Sequence, residues 1–85
     1  MRMRKGKIRE ILEAMIWDNR NRPIDYRIVF ISRGESPNNL EEVRGDQIEV
    51  KKDRIKLSDG REIPHHRIVA IWKGNMLIYL RELNY

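Results

Sequence analysis

The sequence contains no cysteine. That removes disulfide staples, thiol nucleophiles, thiolate zinc sites and iron–sulfur clusters together. A small secreted domain is usually stapled by disulfides, so the absence points to a cytoplasmic protein. Long apolar runs are missing too. The longest falls far below the roughly 18 residues of a membrane span. The basic N-terminus is followed by no apolar signal segment, so neither a leader nor a membrane partner is expected. There is no phosphate-cradling glycine-rich loop and no nucleophile motif. Aromatic residues are scarce, at 7%. The only two histidines, His65 and His66, stand side by side in "GREIPHHRIVAIW".

What is present suits one small globular domain spanning residues 1–85. Apolar residues make up 40% of the 85, charged residues 36%, and isoleucine recurs along the chain. A disordered chain carries fewer large aliphatics. The formal charge is +5, from 18 basic and 13 acidic residues. That balance favours a polyanionic partner, RNA or DNA. Many basic domains bind no nucleic acid, so charge does not decide the matter alone.

Residues 1–6 read as a basic arm that frays unless bound. Ile8, Ile11, Leu12, Met15 and Ile16 then fall at i, i+3, i+4, i+7 and i+8, the apolar stripe of a helix. Trp17 lies off that stripe. Either the helix ends there and the ring folds back, or the ring meets solvent and a ligand. "DNRNRP" (18–23) is a loop closed by proline. "DYRIVFISR" reads as a strand with Tyr26, Ile28 and Phe30 on one side. Residues 33–46 are irregular, with Leu40 to Arg44 either an edge strand or a helical turn capped by Asn39 and Glu42. Short strands follow at 47–50, 54–57, 61–63, 66–72 and 76–83, with Gly74-Asn75 suited to a two-residue hairpin. The fold class is α+β: one N-terminal amphipathic helix packed on a curved, mostly antiparallel sheet of short strands.

Catalysis is the weakest functional reading. Adjacent residues on a regular strand point to opposite faces, so His65 and His66 should not converge on one phosphate or one metal unless Pro64 bends the chain there. No metal-ligand spacing is recognisable, and no metal or cofactor is expected. Binding is easier to assemble. Single-stranded RNA is held by aromatic or guanidinium stacking beside phosphate-binding cations. Trp17 beside Arg20 and Arg22 fits that scheme, as do Arg33, Arg44, His66 and Arg67. Each has a plain structural alternative. Trp17 could close the core, His66 could bond a backbone carbonyl after Pro64, and Arg67 could pair with Asp18, Glu62 or Asp46.

The segments "ILEAMIWDNR", "YRIVFISRG", "VRGDQIEV" and "EIPHHRI" resemble the small archaeal UPF0248 family over roughly residues 7–81. The resemblance carries the motif positions Trp17, Asp18, Arg33, Gly34, Arg44, Gly45, Asp46, Pro64, His66 and Arg67. Tyrosine often stands where this chain has His65, which makes His66 the motif histidine. The family's domain, also found fused to RNA-processing enzymes, is proposed to recognise RNA ends bearing a cyclic phosphate.

The residue pattern and the resemblance together point to a non-catalytic RNA-binding module for single strands or 3′ ends, with an RNA-processing enzyme as a possible partner. Its expected contacts are Trp17, Arg20, Arg22, Arg33, Arg44, His66 and Arg67. Two other classes stay open: an adaptor that binds protein through the strand edge at 76–83, and a phosphoesterase using His66.

Overall fold

The computed structural model describes residues 7–32 and 39–81. The basic arm at 1–6, Arg33 and Gly34 lie outside the described residues, as does the end of the strand expected to reach 83. The described chain contains one helix, α1 (Lys7–Trp17), and seven strands: β1 (Tyr26–Ile31), β2 (Leu40–Arg44), β3 (Ile48–Val50), β4 (Arg54–Leu57), β5 (Glu62–Pro64), β6 (Ile68–Lys73) and β7 (Met76–Leu80). Single turns of 3-10 helix at 23–25, 45–47 and 65–67 precede β1, β3 and β6. All strand pairs are antiparallel. They form a four-stranded sheet in the order β2-β1-β6-β7 and a three-stranded sheet β3-β4-β5. The α+β class holds, with two sheets in place of one. The segment left open at 40–44 is a strand.

One apolar cluster joins the helix to both sheets. Ile8, Leu12 and Met15 of α1 meet Tyr26, Ile28, Phe30, Ile68 and Ile71 from the larger sheet and Ile55, Leu57 and Ile63 from the smaller. Ile16, expected on the same stripe, is instead 43% exposed. It sits about 80° around the axis from Ile8, at the edge of the stripe. The helix ends where Ala14 O accepts both the Asp18 backbone N–H (3.0 Å) and the Asn21 side-chain amide (3.1 Å). These bonds fill a carbonyl that a helix end leaves without a partner.

Strand β1 alternates as read, with Tyr26, Ile28 and Phe30 buried and Arg27, Val29 and Ile31 less so. Strand β6 does not alternate: Ile68, Val69, Ala70 and Ile71 are all buried. Ile68 and Ile71 are an odd number of residues apart, yet pair with Phe30 and Ile28 on the core side. A bulge opposite Val29 and Phe30 makes this possible, because one extra residue resets the two-residue period. Gly74 has φ +59 while Asn75 does not go positive, the pattern of a type II′ hairpin turn.

The Arg44-Gly45-Asp46 tripeptide has a packing reason. A Cβ on Gly45 would lie 2.5 Å from Pro23 O and 2.6 Å from Met15 Sδ. The glycine lets the 45–47 turn close against the helix and the 23–25 turn. Gly45→Ala is therefore expected to cost about 1–3 kcal/mol through overpacking. Urea denaturation would check it, with the midpoint falling while the slope stays constant.

Candidate functional site

Helical geometry gives α1 a second stripe. Arg9, Glu13, Ile16 and Trp17 lie at i, i+4, i+7 and i+8, rotated away from the core stripe. Glu13 accepts from Arg9 Nε at 2.9 Å. This flank faces the β3–β4 hairpin, whose tip is Lys52-Asp53, closed by Lys51 N–H donating to Arg54 O. Two hollows lie along the junction. One, of about 490 Å³, is lined by Lys7, Ile8, Arg9, Lys52, Asp53, His65, His66 and Tyr79. The other, of about 500 Å³, is lined by Arg9, Glu13, Ile16, Trp17, Ile48, Glu49, Val50, Lys51 and Lys52. Arg9 and Lys52 border both.

The histidines sit otherwise than strand alternation implies. Pro64 ends β5 in extended geometry (φ −61°, ψ 148°), and His65–Arg67 then forms a 3-10 turn. Strand β6 begins at Ile68, two residues later than expected. The turn brings both imidazoles to the same hollow. They are not equivalent there. His66 is exposed, whereas His65 is half-buried and its Nε2 is buried without a hydrogen-bond partner. Burial pushes the His65 imidazole below its ordinary value, against the opposing pull of a hydrogen bond to the Arg54 backbone and the Asp53 charge. The His65 backbone N–H donates to Asp53 O at 3.0 Å, tying the turn to the hairpin tip.

The expected arginine cluster does not assemble. Arg20 makes a double hydrogen bond to Asp18, from Nε at 3.1 Å and Nη2 at 3.0 Å. Those hydrogen bonds hold the Asp18 carboxyl down to about 2. Arg44 donates likewise to both oxygens of Asp46, at 2.9 and 3.3 Å. A guanidinium whose fork already holds a carboxylate offers little to a phosphate. Arg67 pairs with none of Asp18, Glu62 or Asp46. Its Nη1 donates to Ser32 O at 3.5 Å, beside the end of β1. Glu62 takes Arg54 Nε instead, at 2.8 Å. Arg22 is exposed.

Trp17 does not fold back into the core. It completes α1 and is 80% exposed at the second hollow. Of the expected contacts, then, His66 and Trp17 stand at adjoining hollows, while Arg20, Arg44 and Arg67 are engaged elsewhere. The hollows are also lined by Lys7 and His65, which the sequence places in its basic segments, and by Arg9, Lys52 and Tyr79, which sequence reasoning did not single out. The i, i+8 spacing of Arg9 and Trp17 was the available signal for one of them. Among the described residues no three His, Asp or Glu side chains gather to hold a metal ion. No described helix is long and apolar enough to cross a membrane.

The family model described as the MJ1316 RNA cyclic group end recognition domain matches residues 1–81. The chain belongs to this family. It is 34% identical over 79 residues to a UPF0248 protein of Thermococcus gammatolerans, covering 86% of each chain. It is 33% identical over 67 residues to the UPF0248 protein MK0350 of Methanopyrus kandleri, covering 79% of this chain and 89% of that one. No solved structure matches the chain. The motif positions that define the resemblance thus divide between structure and site. Gly45 and the Arg44–Asp46 pair build a turn, while Pro64 and His66 shape the first hollow.

The position of His65 sets a pH dependence. Its folded-state value lies below the ordinary 6.5, so the unfolded chain binds the proton more readily. Stability is then complete above about pH 6.5 and falls as pH drops through the folded value. Denaturation at pH 7.5 and pH 5.5 should show this loss, and His65→Asn should make it smaller.

Proposed function

We propose that this protein is a non-catalytic RNA-binding module that takes an RNA end by its terminal phosphate in the histidine hollow. The observation that carries the reading is the charge there. Lys7 and Lys52 border the hollow and, among the described residues, neither forms an ion pair, whereas most arginines do. Arg9 adds a third cation, shared with Glu13. Asp53, the one carboxylate of the lining, is held by Arg54 at 2.8 Å. His66 supplies an exposed imidazole beside them.

The domain description of the family names an RNA cyclic group end as the target. A cyclic phosphate carries one negative charge, an open monophosphate about −1.5 to −2 at pH 7. Positive potential alone would favour the open form. The hollow also has apolar lining in Ile8 and part of Tyr79. Taking a dianion against such a wall costs more desolvation than taking a monoanion. A neutral His65 keeps the charge of the hollow modest, which favours the cyclic end in the same direction.

Recognition without turnover fits the two imidazoles. A metal-free phosphoesterase needs an acid and a base that both reach the phosphate. Here one imidazole is exposed and the Nε2 of the other is buried. A second, compatible role follows from β7, an edge strand with no charged residue whose Met76 and Leu80 are 63% and 67% exposed. Such an edge suits pairing with another strand. Light scattering after size exclusion would detect self-association, and Met76→Lys should abolish it.

Matched short RNAs ending in cyclic phosphate, 3′-phosphate or hydroxyl, titrated at two salt concentrations, test the main reading. The expected order places the cyclic end first and the hydroxyl last, with each RNA recovered intact. Equal affinity for the three would refute end recognition, and no binding at low salt would refute RNA binding. Lys52→Ala should weaken the two phosphate-ended RNAs, leave the hydroxyl-ended one little changed, and lower the log–log salt slope of the phosphate-ended RNAs by about 0.7, the contribution of one phosphate contact on a single strand.

A further inference from the structure

The second hollow differs in kind from the first. Its walls are Trp17 and Ile16 on the helix and Ile48 and Val50 on β3. Trp17 is 80% exposed and Ile16 43%, a large apolar ledge on a chain of which 36% is charged. Isolated exposed aliphatics need no explanation, but a solvent-facing tryptophan above a row of aliphatic side chains does. The charged lining is also different. Glu13 and Glu49 stand among its cations, and each is already in an ion pair, with Arg9 and Lys51. With two carboxylates against three cations, this lining is less positive than that of the first hollow, which has one carboxylate against three cations, and it suits an uncharged planar ligand with donor groups on its edge.

Resting on the reading of the first hollow as a phosphate site, we propose that the Trp17 hollow is a nucleobase subsite, which stacks the base of the terminal nucleotide. Continuity argues for the occupant. Arg9 and Lys52 line both hollows, so a nucleotide whose phosphate lies among Lys7, Lys52 and His66 reaches the Trp17 ledge across a shared wall. Among the described residues the cation–π contacts fall on Trp72 and Tyr26 and none on Trp17, and every base offers a π-face to the indole. Glu13 and Glu49 face the bound base as acceptors for its exocyclic amines. The subsite would add affinity for any terminal base, and the first hollow would supply the choice of end. The two determinants are therefore separable.

The experiment uses the full chain and two RNAs with the same cyclic-phosphate terminus, one with a normal terminal nucleotide and one with that nucleotide abasic. Stacking on an aromatic side chain contributes about 1–3 kcal/mol per base, so the abasic RNA should bind about 5- to 150-fold more weakly. Trp17→Ala should lose a similar factor for the normal RNA and nothing for the abasic one, while Trp17→Phe retains most of the affinity. In a Trp72→Phe background the normal RNA should quench Trp17 fluorescence and the abasic RNA should not. If both RNAs bind equally and a hydroxyl-ended RNA binds less, the base subsite is refuted and the phosphate reading stands. If no RNA binds, both are refuted together.

Discussion

One helix has to cover two sheets. The fold of this small chain, and the groove beside it, follow from that constraint. Ile8, Leu12 and Met15 are committed to the core shared by both sheets. Once those three are buried, helical geometry fixes where every other side chain of α1 goes. Arg9, Glu13, Ile16 and Trp17 form the adjoining stripe, and β3 with its turn comes up beside them. The groove is the seam left where one helix bridges sheets that do not share a hydrogen-bonded edge. Leu12 or Met15 could not be exchanged for a smaller residue without loosening both walls at once, since each Leu or Met to Ala change in a core costs about 2–5 kcal/mol.

Electrostatics then sorts the surface. A chain with 18 basic residues could present positive charge almost anywhere. Among the described residues, seven basic side chains are held by carboxylates. Arg20, Arg44, Arg54 and Arg61 each hold a carboxylate within a few residues, and Arg61 also spans to Glu41 with two bonds near 3.0 Å. Such exposed, solvent-screened pairs contribute little to stability. Their consequence lies in the field. They neutralise those guanidinium groups, whereas Lys7 and Lys52 at the histidine hollow form no ion pair among the described residues and keep their positive potential.

The fold was largely legible in the sequence because period and punctuation agreed. The stripe of α1, the alternation of β1, the strand at 54–57 and the Gly74 hairpin all came from patterns that local sterics enforce. Two things were hidden for physical reasons. The bulge in β6 lets Ile68 and Ile71 share a face, and nothing in an all-apolar run marks where the extra residue falls. The 3-10 turn at His65–Arg67 starts immediately after Pro64; the proline marked where a bend was possible, but the form of the bend, which brings the two histidines to one hollow, was not readable. The site was less legible. Charge counting finds arginines but cannot tell which ones a neighbouring carboxylate has already taken. Lys52 gave no signal of its own, because its place in the wall depends on a hairpin docking against the helix. Arg33 lies outside the described residues and is not placed.

The proposed binding surface is the junction of α1, the Lys52-Asp53 tip and the His65–Arg67 turn. Chemical-shift mapping tests this most directly. A short RNA with a cyclic-phosphate end is added to the ¹⁵N-labelled chain, and backbone and indole resonances are followed. The account predicts the largest shifts at Lys7, Arg9, Lys52, Asp53, His66 and the Trp17 indole, with Arg20, Arg44 and the β7 edge little changed. Shifts centred on Arg20 and Arg44, or on β7, with the junction unmoved, would contradict it.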